Sequence, residues 1–265
     1  MADTPNKIVA LAMPFRSPGK MDPNAVALGV RAMATTSGKL DTAPGMGWTS
    51  LLPYTFNLLW TGFLNTRDGI QVELPNGGET KRKVDYFAMI HDDIHPDPGW
   101  LDVLVAELEE HDADIVSAVV PIKDNFGLTS TAVDTTGDIW NPRRLTMTEV
   151  YELPPTFGDA DVGGPILLNT GLWVCKFNRP WCEKVYFRQH DEVRREEDGT
   201  FTPHTRPEDW DFSRQVRVQG GKLMATRKVG LNHERPNWTN RKPWGQWRTD
   251  ELTLKAHPQA FQKAG

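Results

Sequence analysis

Residues 84–100 read VDYFAMIHDDIHPDPGW, and this stretch indicates the fold of the chain around it. The apolar run at 86–90 is short and bulky, which is typical of a strand buried on both faces of a helix-covered parallel sheet. The run stops at His91, Asp92 and Asp93, where the strand must leave the core. In open α/β sheets, ligands lie outside the carboxyl ends of the strands. We therefore predict an α/β domain with a ligand site at this turn.

The two adjacent carboxylates of Asp92 and Asp93 have two interpretations. They repel each other unless a cation joins them, which favours a metal or phosphate site. Alternatively, they cap the helix that follows. That helix, however, has its own start in residues 96–99 (PDPG), directly before Trp100. We favour the metal or phosphate site.

Composition narrows the class of protein. The 265 residues, 38% hydrophobic and 25% charged, are ordinary for a soluble globular chain of one large α/β domain or two small ones. A net charge of -5 provides no global basic field for nucleic acid, although a local basic face stays open. Cys175 and Cys182 do not form a zinc pattern and suit a reducing compartment. Without a membrane-spanning stretch or a signal segment, we expect a cytoplasmic protein.

The first predicted strand, residues 7–13, ends at a loop formed by Pro14, Phe15 and Arg16. Because nucleotides are held at such loops, Arg16 is a candidate phosphate ligand, and a solvated turn is the alternative. Helices are predicted over residues 24–33 and 51–64. The second contains Asn57, which is either a hydrogen-bonded core residue or a ligand contact.

The middle of the chain has weaker patterns. Residues 68–84 predict a solvated surface, and the strand, helix and strand of 86–120 predict a right-handed crossover unit of a parallel sheet. Residues 122–165 predict an irregular insertion, with a short hairpin near 137–138. The strand-like segment 166–176 is interrupted by Asn169, Thr170 and Gly171, which indicates a bulge or a close approach to a ligand.

The last third begins with a predicted helix over 179–187 and a charged, mobile connection over 190–204. A helix over 206–218 follows, and Glu208, Asp209 and Asp211 in its first turn exceed what capping requires. The final strand, 222–229, leads to His233. Residues 235–248 combine Arg and Lys with Trp238, Trp244 and Trp247. They predict either stacking on a base or sugar, or a wrap over the core.

Three polar clusters therefore fall at the ends of predicted elements: residues 91–93, residues 208–209, and His233. A carboxylate and an imidazole, with open positions for phosphate oxygens, suit Mn²⁺ or Mg²⁺. A single histidine after a strand is more often structural, so the prediction depends on the combination.

This combination resembles glycosyltransferases of the GT-A fold, which use nucleotide sugars. In that family an apolar strand ends in a DXD motif, matched here by residues 90–94 (IHDDI), with the helix start 98–101 (PGWL) following it. The family's acidic motif at a helix start matches residues 207–212 (PEDWDF), and its metal-binding histidine matches His233. The resemblance spans residues 7–234. One departure is His91, which stands where the first Asp of DXD would be.

The resemblance implies a mostly parallel central sheet flanked by helices, with a catalytic domain over 1–234 and a packed basic tail over 235–265. It implies metal ligation by Asp93 and His233, leaves His91 as an open third ligand, and places Asp92 near the donor ribose or metal waters. It implies Asp209 as the base for the acceptor hydroxyl, with Glu208 orienting the acceptor or tuning the base. The candidate donor contacts are Pro14, Phe15, Arg16, Asn57 and Asp92, and the candidate acceptor contacts are Thr170, Gly171, Trp173 and Trp210.

The expected reaction is inverting transfer from a nucleotide-diphosphate sugar, most simply a UDP-sugar, although retaining members share the frame. Two alternatives stay open: nucleotidyl transfer to a sugar phosphate, and a non-catalytic nucleotide-sugar or glycan-binding module. A modified base in DNA is one candidate acceptor, as in phage-type DNA glycosyltransferases. It depends on the Arg- and Trp-rich tail, and the acidic net charge opposes it.

Overall fold

The computed structural model describes residues 6–15, 23–73, 79–135, 138–234 and 238–245. The helices are α1 Pro23–Ala34, α2 Leu52–Thr66, α3 Trp100–Glu110, α4 Met147–Glu152, α5 Asp159–Val162 and α6 Glu208–Val218, with a 3₁₀ turn at Pro180–Glu183. The strands are β1 Lys7–Pro14, β2 Leu40–Gly47, β3 Ile70–Glu73, β4 Glu79–Arg82, β5 Tyr86–Ile90, β6 Ile94–Pro96, β7 Ile115–Ala118, β8 Leu128–Val133, β9 Arg143–Thr146, β10 Thr156–Phe157, β11 Ile166–Leu167, β12 Leu172–Lys176, β13 His190–Arg195, β14 Phe201–Arg206, β15 Leu223–Thr226 and β16 Leu231–His233.

A seven-stranded sheet in the order β10-β15-β7-β12-β5-β1-β2 forms the centre of the molecule. Strands β2, β1, β5, β7 and β15 run in one direction, and β12 and β10 run in the other. The predicted α/β class, a single domain with a mostly parallel central sheet flanked by helices, is confirmed. The predicted domain division falls at residues 235–237, which lie outside the described residues, so it stays a prediction.

Both faces of the sheet are covered, which explains the continuous apolar runs of β1 and β5. Successive side chains of a strand point to opposite faces. In β5, Phe87 and Met89 therefore pack under α2 and α6, whereas Ala88 and Ile90 pack under α1 and α3. All five residues of β5 are buried. The carboxyl ends of β1 and β5 consequently meet at one edge of a rigid sheet.

The crossover unit predicted for 86–120 differs in one respect from the structure. β5 and β7 are parallel, but β12 lies between them and is antiparallel to both. The break predicted at 169–171 is present, since β11 ends at Leu167 and β12 begins at Leu172. The strand after this break, β12, lies in the middle of the sheet, where it pairs with β5 and β7, which are distant from it in sequence.

Strands occur in the three segments predicted as a solvated surface, as an irregular insertion with a short hairpin, and as a mobile connection. Strands β3 and β4 pair antiparallel, and β8 pairs antiparallel with both β9 and β11, which gives a three-stranded sheet. The turn predicted at Gly137 lies outside the described residues. The connection predicted to be mobile over 190–204 lies within the β13–β14 hairpin of residues 190–206, with Gly199 at φ 86° in its turn. Neither strand of this hairpin has a buried face, so no apolar alternation marked it in the sequence.

Candidate functional site

The turn after β5 is the starting point of the candidate site. The amide of His91 donates to the carbonyl of Gly171 at 2.9 Å, so this turn lies against the loop that leads into β12. A Cβ atom on Gly171 would lie 2.7 Å from Ile94 Cδ1. The close approach predicted from this glycine is therefore an approach to the 91–94 turn.

Antiparallel pairing of β16 with β6 brings His233 opposite Ile94, next to Asp93. The Nε2 atom of His233 lies 3.3 Å from Asp93 Oδ2. The Nδ1 atom lies 2.7 Å from the carbonyl of Pro121, an acceptor, so Nδ1 carries the proton. The Nε2 atom is consequently the ring nitrogen that faces the carboxylate.

This pair suits a divalent cation. Histidines that bind metal generally donate their other ring N–H to a carbonyl or carboxylate, which fixes the ring as it is fixed here by Pro121. A carboxylate and a neutral imidazole are ligands for Mn²⁺, with the remaining positions left to water and phosphate oxygens. Asp93 and His233 are therefore the residues that would hold the ion.

Lys123 is a member of this cluster that the sequence reasoning missed. Its Nζ atom lies 2.8 Å from Asp93 Oδ2 and also pairs with the carboxylate of Glu234. The position of Lys123 shortly after β7, at the same edge of the sheet as Asp93, was a signal in the sequence. Lys123 thus supplies a positive charge to the cluster formed by Asp93, His233 and Glu234.

A cavity of about 220 Å³ adjoins the turn on the side of β1. It brings together the predicted donor contacts Pro14, Phe15 and Asp92 with His91, while Arg16 lies outside the described residues. Among the described residues, the lining is Met13, Pro14, Phe15, Val26, Val30, Ile90, His91, Asp92, Ile94 and His95. The ring of His91 also packs against Phe56, with the ring centroids 5.0 Å apart.

The second acidic cluster, Glu208 and Asp209, opens α6. Burial raises the pKa of Glu208. Burial and the Glu208 carboxylate raise the pKa of Asp209 well above its ordinary value, against the opposing charge of Arg144. The backbone amide of Trp210 donates to Asp209 Oδ1 at 2.8 Å. A carboxylate in such surroundings holds a proton more tightly than an exposed one, which suits proton transfer near neutral pH.

Arg144 connects the two clusters. Burial lowers its pKa, and the carboxylates of Asp209 and Asp124 act in the opposite direction, so its guanidinium lies within electrostatic range of both. Asp124 follows Lys123, which contacts Asp93. Charged side chains therefore lie in the region between the β5 turn and the start of α6.

Asp211, the third acidic residue of this helix start, has a structural role. Its side chain is 4% exposed and accepts from Arg188 Nε at 2.6 Å, and Arg206 Nε lies 3.1 Å away. These contacts join α6 to the loop before β13 and to the end of β14. These ion pairs explain why the first turn of α6 has one more acidic residue, Asp211, than helix capping and the Glu208–Asp209 cluster require.

Several residues predicted to contact substrate lie in the core instead. Trp173, only 1% exposed, packs beside Trp60 and Phe87 and presents no ring face to an acceptor. Trp210, 4% exposed, donates its Nε1–H to the carbonyl of Ser130 and lies under Arg144. These two tryptophans are therefore packing residues beneath the candidate site.

Three further predicted contacts also lie within the packed structure. Thr170 and Gly171 are buried behind the 91–94 turn. Both amide atoms of Asn57 bind the backbone of Phe187, at 2.7 and 2.8 Å. Asn57 is therefore the hydrogen-bonded packing residue of the two alternatives considered from the sequence.

The described part of the tail, residues 238–245, wraps over the domain. Trp238 Nε1 donates to the carbonyl of Asp124 at 2.7 Å, and Trp244 Nε1 donates to that of Thr239 at 2.7 Å. Arg241 is held by Asp97 at 2.6 Å. Trp247 and Arg248 lie outside the described residues. Of the two alternatives for the tail, these contacts favour the wrap over the core.

A separate acidic cluster lies at the end of α3, where Glu107, Glu110 and His111 approach one another closely enough to share a metal ion. Glu107 already accepts from Lys228 Nζ at 2.6 Å and from Thr156 Oγ1. Burial alone would raise the pKa of Glu107, but these hydrogen bonds lower it overall. This cluster is accounted for by internal ion pairing.

Comparisons with known proteins return no matching family model and no matching curated protein. Two solved structures are similar over much of the chain. One, from Entamoeba histolytica and assigned as a UDP-N-acetylglucosamine pyrophosphorylase, is 10% identical, with a TM-score of 0.32 over 82% of this chain and 72% of that one. The other, a Trypanosoma brucei UDP-N-acetylglucosamine pyrophosphorylase with inhibitor, is 10% identical, with a TM-score of 0.27 over 76% and 44%.

The helices of the described residues were compared with the length and apolar character of a membrane span. Among them, no helix combines the length and apolar character needed to cross a bilayer.

Proposed function

We propose that this chain is a divalent-cation-dependent glycosyltransferase that moves a sugar from a nucleotide diphosphate to an acceptor hydroxyl. The observation that carries the proposal is the pairing of Asp93 with His233 at 3.3 Å, at the sheet edge that ligands occupy in α/β folds. Charged residues connect this pair to Glu208 and Asp209. Two separate clusters thus offer the two functions that glycosyl transfer needs, charge neutralisation and proton acceptance.

The donor would lie across the carboxyl ends of β1 and β5. The cavity of about 220 Å³ is below the range of about 300–1,000 Å³ typical of whole ligand sites, so it suits one part of the donor, such as the base. Pro14 and Phe15 would border that part, and Asp92 would face the ribose. Asp93 and His233 would hold the diphosphate through a bound Mn²⁺ or Mg²⁺, which neutralises the charge that grows on the leaving group.

The acceptor hydroxyl would be deprotonated by Asp209. Burial and the neighbouring Glu208 raise the pKa of this carboxyl well above that of an ordinary aspartate, which makes its carboxylate a stronger base. Glu208 contributes to that shift through like charge, and Arg144 keeps the ionised form accessible. A base acting directly on the acceptor favours a single displacement with inversion.

Nucleotidyl transfer to a sugar phosphate is the second candidate, because the two solved structures described above bear the name of such enzymes. With TM-scores below 0.5, they do not decide between the reactions. Both reactions would use the same edge of the sheet and the same cation, but they release different products. Identifying the released product therefore distinguishes glycosyl transfer from nucleotidyl transfer.

The proposal is tested by incubating the protein and Mn²⁺ with a panel of nucleotide sugars, and separately with nucleoside triphosphates and sugar phosphates. We expect slow release of a nucleoside diphosphate from at least one sugar donor, abolished by EDTA and restored by Mn²⁺. The Asp93→Asn variant should lose this release. The Asp112→Asn variant should keep it, because Asp112 is an exposed carboxylate at the opposite edge of the sheet, paired with Lys176.

Other outcomes would contradict the proposal in distinct ways. Release of pyrophosphate from a triphosphate would assign nucleotidyl transfer. Binding of a nucleotide sugar without any release would indicate a binding module. Full release in the presence of EDTA would exclude the cation.

A further inference from the structure

The Lys123 ammonium group lies where a divalent cation would be expected. Its Nζ atom is 2.8 Å from Asp93 Oδ2, the same oxygen that lies 3.3 Å from His233 Nε2. Lys123 also pairs with Glu234, whose backbone amide donates to the carbonyl of Asp93. One carboxylate oxygen is therefore shared between the imidazole and an internal cation.

We propose that Lys123 is a built-in competitor of the divalent cation, so that metal binding requires the ammonium group to leave Asp93. The inference rests on the cation site of the proposed function, but not on the transfer reaction itself. It assigns to Lys123 a role in setting the metal affinity of the site.

The reason for exclusion is electrostatic. A divalent ion bound to a carboxylate oxygen lies about 2.0–2.6 Å from it. An ammonium nitrogen held 2.8 Å from that oxygen would then lie within a few ångströms of the ion. Two positive charges at such a separation, in a partly buried site where Asp93 is 11% exposed, repel each other strongly. Lys123 is 27% exposed, so its long side chain has a route toward solvent.

The charges of the cluster indicate how the nucleotide would contribute. Asp93 and Glu234 carry one negative charge each, and Lys123 cancels one of them. Once the ion has displaced Lys123 from Asp93, the ammonium group stays tethered close to the site, and the donor diphosphate would compensate the added positive charge. Metal and nucleotide should therefore bind cooperatively, and part of this coupling should come from Lys123.

The experiment measures the Kd of Mn²⁺ by calorimetry, without a sugar donor, for the wild-type chain and for Lys123→Gln. We expect Lys123→Gln to bind Mn²⁺ about two- to fivefold more tightly, the range expected when one competing ion pair is removed. UDP should strengthen Mn²⁺ binding more in the wild-type chain than in Lys123→Gln. The matched control is Lys176→Gln, which removes an ion pair with Asp112 at the opposite edge and should leave the Kd unchanged.

Two additional measurements keep the test decisive. Lys123→Arg retains the positive charge and should bind Mn²⁺ as weakly as the wild-type chain. Thermal unfolding shows whether each variant folds, and Mn²⁺ should raise the Tm of Lys123→Gln more than that of the wild-type chain. Equal or weaker Mn²⁺ binding by Lys123→Gln, or no Mn²⁺ binding by any variant, would overturn the inference. Tighter binding without any nucleoside diphosphate release would support it while rejecting the transferase.

Discussion

At the scale of single residues, Asp209 and Asp211 show how two carboxylates on one helix turn acquire opposite roles. Asp209 has its pKa raised by burial and by Glu208. Asp211 instead forms ion pairs with Arg188 and Arg206, at 2.6 and 3.1 Å. The difference comes from the partners that surround each side chain, which belong to segments distant in sequence.

Replacing Asp209 by Asn should abolish turnover while nucleotide binding survives, because only the proton acceptor is lost. General-base removal typically lowers the rate by about a hundred- to ten-thousandfold. In the wild-type chain, turnover should fall as pH decreases through the raised pKa of Asp209, at a higher pH than an ordinary aspartate would give. Steady-state rates against pH check this, and unchanged turnover in Asp209→Asn would remove Asp209 as the base.

The Asp209→Asn variant should also be more stable than the wild-type chain at neutral pH. A raised pKa means that the folded protein holds the Asp209 proton more tightly than the unfolded chain does. This carboxyl therefore lowers the free energy of unfolding as pH rises from about 3.9, the ordinary value, through the raised pKa. Asp209→Asn should unfold at a higher temperature than the wild-type chain at pH 7, and the difference should disappear at acidic pH.

Asp211→Asn is the internal control for that measurement. It removes one partner of a buried ion pair, so we expect a loss of roughly 3 kcal/mol in the free energy of unfolding at neutral pH. Equal shifts in the two variants would contradict the division of roles between the two residues.

At the scale of elements, the site depends on two contacts between short segments. The β6–β16 pairing brings His233 to Asp93, and the Gly171 loop supports the turn that carries Asp93. Neither segment exceeds a few residues, so their positions depend on packing against the central sheet. A change in this packing should therefore be detected in the site.

Replacing Gly171 by Ala tests this dependence. The added Cβ would lie 2.7 Å from Ile94 Cδ1 and 3.3 Å from Asn169 Oδ1, so Ile94 must move and shift the turn. We expect a loss of about 1–3 kcal/mol in unfolding free energy, as for other overpacked positions. Metal affinity and turnover should also fall, by tenfold or more, since misplacement by about 1 Å can cost roughly a hundredfold in rate.

Gly62→Ala is the matched control, because nothing lies within 4 Å of its added Cβ on the exposed side of α2. It should stabilise the helix by about 0.5–1 kcal/mol and leave turnover unchanged. Normal Mn²⁺ binding and turnover in Gly171→Ala would show that the loop does not position the site.

At the scale of the whole molecule, charge and the tail bear on the acceptor. The net charge is -5, and Arg241, one of the cations of the tail, is paired with Asp97 at 2.6 Å. Trp238 and Trp244 donate their ring N–H groups to backbone carbonyls. The described residues thus add no feature that favours a DNA acceptor.

We therefore expect no salt-dependent binding to duplex DNA. Fluorescence anisotropy of a labelled duplex between about 50 and 200 mM salt checks this, because phosphate contacts produce a steep dependence in that range. Affinity that decreases with salt in the wild-type chain, and is lost when Arg241→Ala and Lys242→Ala are combined, would support a DNA acceptor.

The sequence by itself determined the features that local patterns encode. Apolar runs marked β1 and β5, the Pro-Gly start marked α3, and polar residues at strand ends marked the edge where the site would form. The predictions of these two strands and of this helix hold because burial on two faces and helix starts depend on neighbouring residues.

Only the tertiary structure decided what occupies the site. The insertion of β12 between β5 and β7, the approach of His233 to Asp93, the ion pair of Lys123 and the burial of Trp173 all join residues far apart in the chain. A residue's own neighbours in sequence do not specify which distant strand or charge it will meet. That information resides in the packing of the complete sheet and its two helical layers, and so the cation partner of Asp93 became evident only in the folded molecule.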